Sequence, residues 1–268
     1  MSDSSFTELT HYQAWKAETL NELLQAKAIN VDETSLLVDK QKHWIHVYAS
    51  GDITLKFLHR KRGKEAIEDI GIIVIFSGVI IHDRWSSYLS YHHCSHGLCG
   101  SHLLRDLAFI IQVHNYRWAI NMKRLLQDTC YRVAQSKTKK LTDKEYANLQ
   151  KRYRNILTRG NKELPPIPPK PSGKRGKVAK SDAHNLWEAF KKHEAAILLF
   201  AHNASVSFTN NRAERDLRMA KVKQKVSGCF RTQQYAEAYC RISSYLQTMT
   251  NKGINPLVAI QMALGEGE

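Results

Sequence analysis

Three acidic side chains stand in contexts suited to metal-assisted chemistry at phosphorus. Asp32 lies in VDET, Asp83 in HDRWSSY and Glu214 in TNNRAERDLR. Asp83 closes a run of β-branched residues, and Glu214 falls in the first turn of an expected helix. A carboxylate at a strand's end stands on the rim of a sheet, where the sites of open α/β folds gather. Carboxylates brought there from three separate elements can hold two divalent cations. Magnesium favours oxygen ligands and keeps several waters. Two such ions activate a nucleophile and steady the leaving oxygen of an in-line displacement. Each acid also has a plain structural explanation. Asp32 can begin a turn, and Asp83 can cap the helix after it. Glu214, with Asn211 as N-cap, falls at the third helical position of a capping-box variant. Spacing alone does not choose between these explanations.

Other groups surround these acids in the sequence. Arg215, Arg218, Lys221 and Lys225 follow Glu214 at three- and four-residue steps. On a helix they form one basic stripe, which suits contact with a DNA backbone. Trp85 and Tyr88 can stack on a splayed base or pack in the core. The run HHCSHGLCGSH holds Cys94, His96, Cys99 and His102. These are zinc-ligand types, but their spacing is irregular and no second paired knuckle follows. Packing or positioning is the favoured role for Cys99 and His102.

The elements that must position these residues can be read from periodicity. Residues 10–28 carry Trp15, Leu20, Leu23 and Leu24 at helical spacing. AINVDETSLLV, HWIHVYAS and ITLKFLH are β-prone, and Gly51-Asp52 between the last two signals a hairpin. Gly63 to Ile70 suits a short helix. IIVIF (72–76) and VIIHD (79–83) are rich in β-branched residues and predict buried strands. From Trp85 to about Leu157 the apolar steps are helical. Pro165, Pro166, Pro168, Pro169 and Pro171, followed by SGKRGKVAK, predict an extended basic loop. Helix resumes from Asp182 to Phe200 and again near Arg212. YAEAYCRISSYLQTMT continues helically, and a last helix opens at Asn255-Pro256.

The bulk composition narrows the class. A chain of 268 residues with 43% hydrophobic content can bury one sizeable core. Its 40 Lys and Arg against 25 Asp and Glu give a net charge of +15, which favours a polyanionic partner. Five scattered cysteines do not form a disulfide framework and suit a reducing cytoplasm. The N-terminus lacks a signal peptide's apolar core. The longest apolar stretch, about twelve residues from Ile70, is too short to span a bilayer.

VDET, HDRWSSY and TNNRAERDLR, in that order, resemble the three signature segments of the insertion-sequence sixty-six transposase family. CGSHLLRDL, KVSGCFRT and NKGINPLVAIQMAL are similar to segments that accompany them. The resemblance runs from about residue 25 to the end. It implies an α/β, RNase H-like (retroviral-integrase-like) mixed sheet with a mostly helical insertion, about 105–205, before the last catalytic acid. Residues 1–27 then form an N-terminal helical segment, 28–268 the catalytic domain, and 233–264 its C-terminal helices. The resemblance implies that Asp32, Asp83 and Glu214 are a metal-binding catalytic triad using two Mg2+ or Mn2+ ions. The implied activity is bacterial, cytoplasmic DNA transposition. Water cleaves the transposon end, and the freed 3′-hydroxyl attacks target DNA. Homo-oligomers on paired ends are expected. Many DDE transposases also resemble this chain in carrying a Cys-x-x-His between the second and third acids.

The chain departs from the family in two ways. It has Gly100 where the family usually carries tryptophan. The family's upstream zinc-binding and helical recognition regions are not in this sequence, which motivates two expectations: a separately encoded DNA-recognition chain, or a truncated remnant that binds DNA without turnover. A plain RNase H-type nuclease shares the metal logic, but the TNNRAER segment argues against it.

Overall fold

Alternating burial builds the first hairpins. In β1 (Ala28–Val38) Ile29 and Val31 face one side, while Leu36 and Val38 face the other. It pairs antiparallel with β2 (Gln41–Ser50), which pairs antiparallel with β3 (Ile53–His59) through the two-residue turn at Gly51-Asp52. Gly51 takes φ +50°, the left-handed conformation such a turn requires. β4 (Val79–His82) runs parallel to β1, and β5 (Ser95–Leu98) lies beyond it. This computed structural model describes residues 3–169 and 178–264, with side chains from residue 12 onward. Among the described residues these strands form one mixed five-stranded sheet, ordered β3-β2-β1-β4-β5.

The expected strand at IIVIF is not one. After α1 (Asp3–Leu24), α2 (Lys64–Ile70) ends on Gly71 at φ +81°, and Ile72–Ile75 form the short helix α3. β-branched composition suggested a strand, but the exposure pattern is helical. Ile72, Ile73 and Phe76 are buried, whereas Val74 and Ile75 face solvent. The fifth strand is instead the short, polar β5. The helical pattern expected from Trp85 onward starts only at α4 (Gly100–His114), after a 3-10 turn at Tyr88–Ser90 and β5.

The sheet unit comprises Met1–His96 and Asn210–Glu268. One face of its sheet packs Ile29, Val31, Tyr48, Ile53 and Leu55 against Leu23 of α1, Ile67 of α2 and Ile72 of α3. The N-terminal helix therefore belongs to this unit. The opposite face packs Leu36, Val38, Ile45 and Val47 against α9 (Asn211–Ser227) and α10 (Gln233–Asn251). α11 (Pro256–Ala263) starts as expected: the Asn255 side chain accepts from Leu257 N–H, and Pro256 takes the first helical position.

The second unit, Gly97–Thr209, is helical. After α4 come α5 (Arg117–Gln135), α6 (Asp143–Gly160), α7 (Asp182–Lys192) and α8 (Glu194–His202). The single helix expected from Asp182 to Phe200 breaks at His193, whose backbone (φ −110°, ψ 25°) leaves helical geometry. Trp118, Met122, Tyr153 and Phe190 form its core, and the Tyr153 hydroxyl donates to the Phe190 carbonyl. At Gly100 an added Cβ meets the Phe208 ring at 2.3 Å, so that ring fills the space a side chain at residue 100 would need. Pro165–169 has no regular structure. Pro171 and most of the basic run after it lie outside the described residues. No described helix is long and apolar enough to cross a membrane.

Candidate active site

The pleat aims Asp32 at the face that α9 covers. Asp32 shares its parity in β1 with Leu36 and Val38, and it pairs with Val47 of the same face. Its neighbour Glu33 points to the other side. Asp32 thus sits within β1 rather than beginning a turn. β1 and β4 are in register from Ala28–Val79 to Asn30–Ile81. Carrying that register on by two residues sets Asp83 beside Asp32, on strands about 4.8 Å apart. Asp83 Oδ1 accepts from Trp85 N–H at 2.9 Å, which fixes the turn leaving the sheet.

Glu214 lies on α9, far along the chain from both aspartates. α9 lies across β1 and β2, burying Ala213, Leu217 and Ala220 on their apolar face. The capping-box explanation of Glu214 does not survive: the N-cap is Asn210, not Asn211, and Asn210 makes no side-chain cap bond to the helix. Its side chain is engaged by β1. Asn30 Nδ2 donates to Asn210 Oδ1, and Asn210 Nδ2 donates to the Val31 carbonyl, both at 2.8 Å.

The three acids meet electrostatically. Burial pushes the Asp32 carboxyl up to about 7, and the charges of Glu33, Asp83 and Glu214 push the same way against a hydrogen bond from Glu33 N–H. A carboxyl raised above its ordinary range, chiefly by burial, is one whose ionised form a nearby cation would stabilise. All three offer oxygen donors, the set that suits a hard divalent ion.

A family model for the transposase IS66 family matches residues 9–238, a span that includes all three acids. The chain belongs to the IS66 transposase family. No curated protein and no solved structure matches it.

Around the acids, this transposase carries groups that sequence reasoning did not single out. Glu33 is buried and held by Arg62 at 2.7 Å and by the Tyr88 hydroxyl at 2.6 Å. Burial raises its pKa despite those bonds. Tyr88 is therefore a core residue and not available for base stacking. The Arg62 guanidinium lies 4.3 Å from the centroid of Trp85 and 5.1 Å from that of Trp44, over which Lys42 also sits. His82 bonds the Asp83 carbonyl, and its Nε2 meets His96 Nδ1 at 3.0 Å. Glu33's place next to Asp32 was the available clue; Arg62 had none.

The basic stripe of the transposase divides by environment. Arg215, Arg218, Lys221 and Lys225 are all exposed, and Lys221 Nζ donates to the Ser35 carbonyl. Arg215 and Arg218, with Asn211, Arg212 and Glu214, line an open pocket of about 470 Å³. Arg212 is occupied: it bonds the buried Asp216 and reaches Thr54 and the Ile53 carbonyl. Asp216 also accepts from Thr54 Oγ1 and Gln247 Nε2. In the histidine- and cysteine-rich run, the Cys94 thiol donates to the Phe76 carbonyl at 2.9 Å, and His96 Nε2 meets the Tyr91 carbonyl. Cys99 is buried at the start of α4, with His102 half-buried in its first turn.

Proposed function

We propose that this chain cuts and joins DNA at transposon ends by metal-dependent phosphoryl transfer, with Asp32, Asp83 and Glu214 as the ligands of two Mg2+ or Mn2+ ions. The observation that supports the reading is that Asp32 lies on the face of β1 that α9 covers, that the first turn of α9 carries Glu214, and that Asp83 directly follows β4, the parallel neighbour of β1. When bound, such ions lower the pKa of an attacking oxygen and neutralise charge on the leaving one. The protein's own part is to hold three carboxylates from β1, the end of β4 and α9 in one place. Arg215, Arg218, Lys221 and Lys225 supply positive charge along α9 for the DNA backbone. The mixed sheet, with one aspartate in its first strand and another at the end of a parallel neighbour, supports an RNase H-like assignment. DNA ends and target are the proposed partners, within a homo-oligomer and alongside a separately encoded recognition chain.

The test is an assay on oligonucleotides carrying the element's ends, with Mg2+ or Mn2+. Wild type is expected to give nicked and strand-transfer products that Asp83→Ala does not. Nicks without transfer indicate a plain nuclease. Identical behaviour of wild type and Asp83→Ala, with DNA bound by both, indicates a non-catalytic remnant.

A further inference from the structure

We infer that Asn210 is a positioning residue that sets Glu214 against Asp32. The inference rests on the metal-site reading above. An N-cap asparagine ordinarily turns its side chain back onto the helix and accepts from an amide of the first turn. Asn210 does not. Only 2% exposed, it faces β1, taking a hydrogen bond from Asn30 and giving one to the Val31 carbonyl. These partners are the two residues just before Asp32. At the other end of the same residue, the Asn210 carbonyl accepts from Glu214 N–H at 3.2 Å. One side chain and one carbonyl thus join the strand carrying Asp32 to the turn of helix carrying Glu214.

The consequence is control of helix register. The apolar contacts of α9, through Ala213, Leu217 and Ala220, press the helix onto the sheet but discriminate poorly between small axial shifts. A slip of one residue rotates a helix by about 100° and advances it by about 1.5 Å. That displacement carries a carboxylate away from a shared ion. Two directional hydrogen bonds at the helix start penalise the slip. The Arg212–Asp216 cluster also resists an axial slip, but it ties the helix to β3, whereas the Asn210 bonds tie the helix start to β1, where Asp32 lies.

Asn210→Ser separates this role from helix capping. Serine caps a helix about as well as asparagine, but it is too short to reproduce both bonds to β1. The full chain is compared as wild type, Asn210→Ser and Asn210→Ala by three measurements: melting temperature, hydrogen exchange over residues 28–34 and 210–216, and Mn2+ uptake by electron paramagnetic resonance of the free ion. The serine variant is expected to fold but to melt somewhat below wild type, because the Val31 carbonyl and the Asn30 amide lose their partner. It should exchange faster in both segments and bind Mn2+ ~10–100-fold more weakly, the loss typical of removing a residue that orients a ligand. Wild-type exchange and Mn2+ affinity in the serine variant overturn the inference. If wild type itself takes up no Mn2+, the metal reading fails, and the exchange measurement alone then decides whether Asn210 ties α9 to β1.

Discussion

Replacing Asp216 with alanine removes the acceptor on which three side chains converge. Thr54 Oγ1, Arg212 Nε and Gln247 Nε2 approach it at 2.7, 2.9 and 2.8 Å. The Asp216 side chain is 0% exposed and that of Arg212 is 22% exposed. Deleting one member of a buried ion pair costs about 3–5 kcal/mol, because the remaining charge stays buried without compensation. The stranded Thr54 hydroxyl and Gln247 amide add about 1–3 kcal/mol each if they stay dry. Water reaching the partly exposed Arg212 offsets some of this, so a total of about 3–5 kcal/mol is expected. A domain stable by roughly 5–15 kcal/mol is left marginal by such a loss. Thr54→Val removes a single donor and should cost about 1 kcal/mol. The assay is hydrogen exchange of β3 and α10 peptides along a urea series, which reports the stability of this unit directly. A cost below about 1 kcal/mol for Asp216→Ala, or an equal cost for Thr54→Val, refutes the convergence argument.

Two further outcomes are expected. Burial pushes His46 down to about 4, with the charges of His59 and Arg62 acting the same way against its bond to the Lys61 carbonyl. Its folded pKa is below the ordinary 6.5, so its contribution is present above pH 6.5 and is lost as pH falls toward 4. Wild type should therefore lose about 2–3 kcal/mol more than His46→Gln between pH 7 and 4.5 in urea unfolding, and parallel losses sink the assignment. Arg218→Ala should weaken binding to duplex DNA evenly across sequences and reduce the slope of log K against log salt by about 1. An unchanged slope removes Arg218 from the phosphate-contacting set.

Strand hairpins were legible because alternation and the Gly51-Asp52 turn are local signals. β1 and β3 begin and end where the sequence pattern places them. IIVIF misled because composition records β-branching, while the left-handed Gly71 and the exposure of Val74 and Ile75 belong to tertiary structure. SHGL, four residues at the sheet's edge, offers no pattern to detect. The three acidic motifs stood out in the sequence, and TNNRAER located the start of α9 within one residue. The partners of those motifs were not. Asn30 with Asn210, Thr54 with Asp216 and Glu33 with Arg62 are pairings across the fold, and each residue alone looks like an ordinary polar side chain.

The two faces of the sheet obtain their cover at different moments of synthesis. Leu23, Ile67, Ile72 and Phe76, which shield one face, precede residue 97 in the chain. Leu36, Val38, Ile45 and Val47 must wait for α9, on the far side of the helical unit. At ~5–20 residues per second that delay is on the order of ten seconds. Throughout it a strip of apolar sheet lacks its cover, and Glu214 has not yet been made. The face on which Asp32 lies is therefore completed only once α9 has left the ribosome, well after the opposite face has gained its cover.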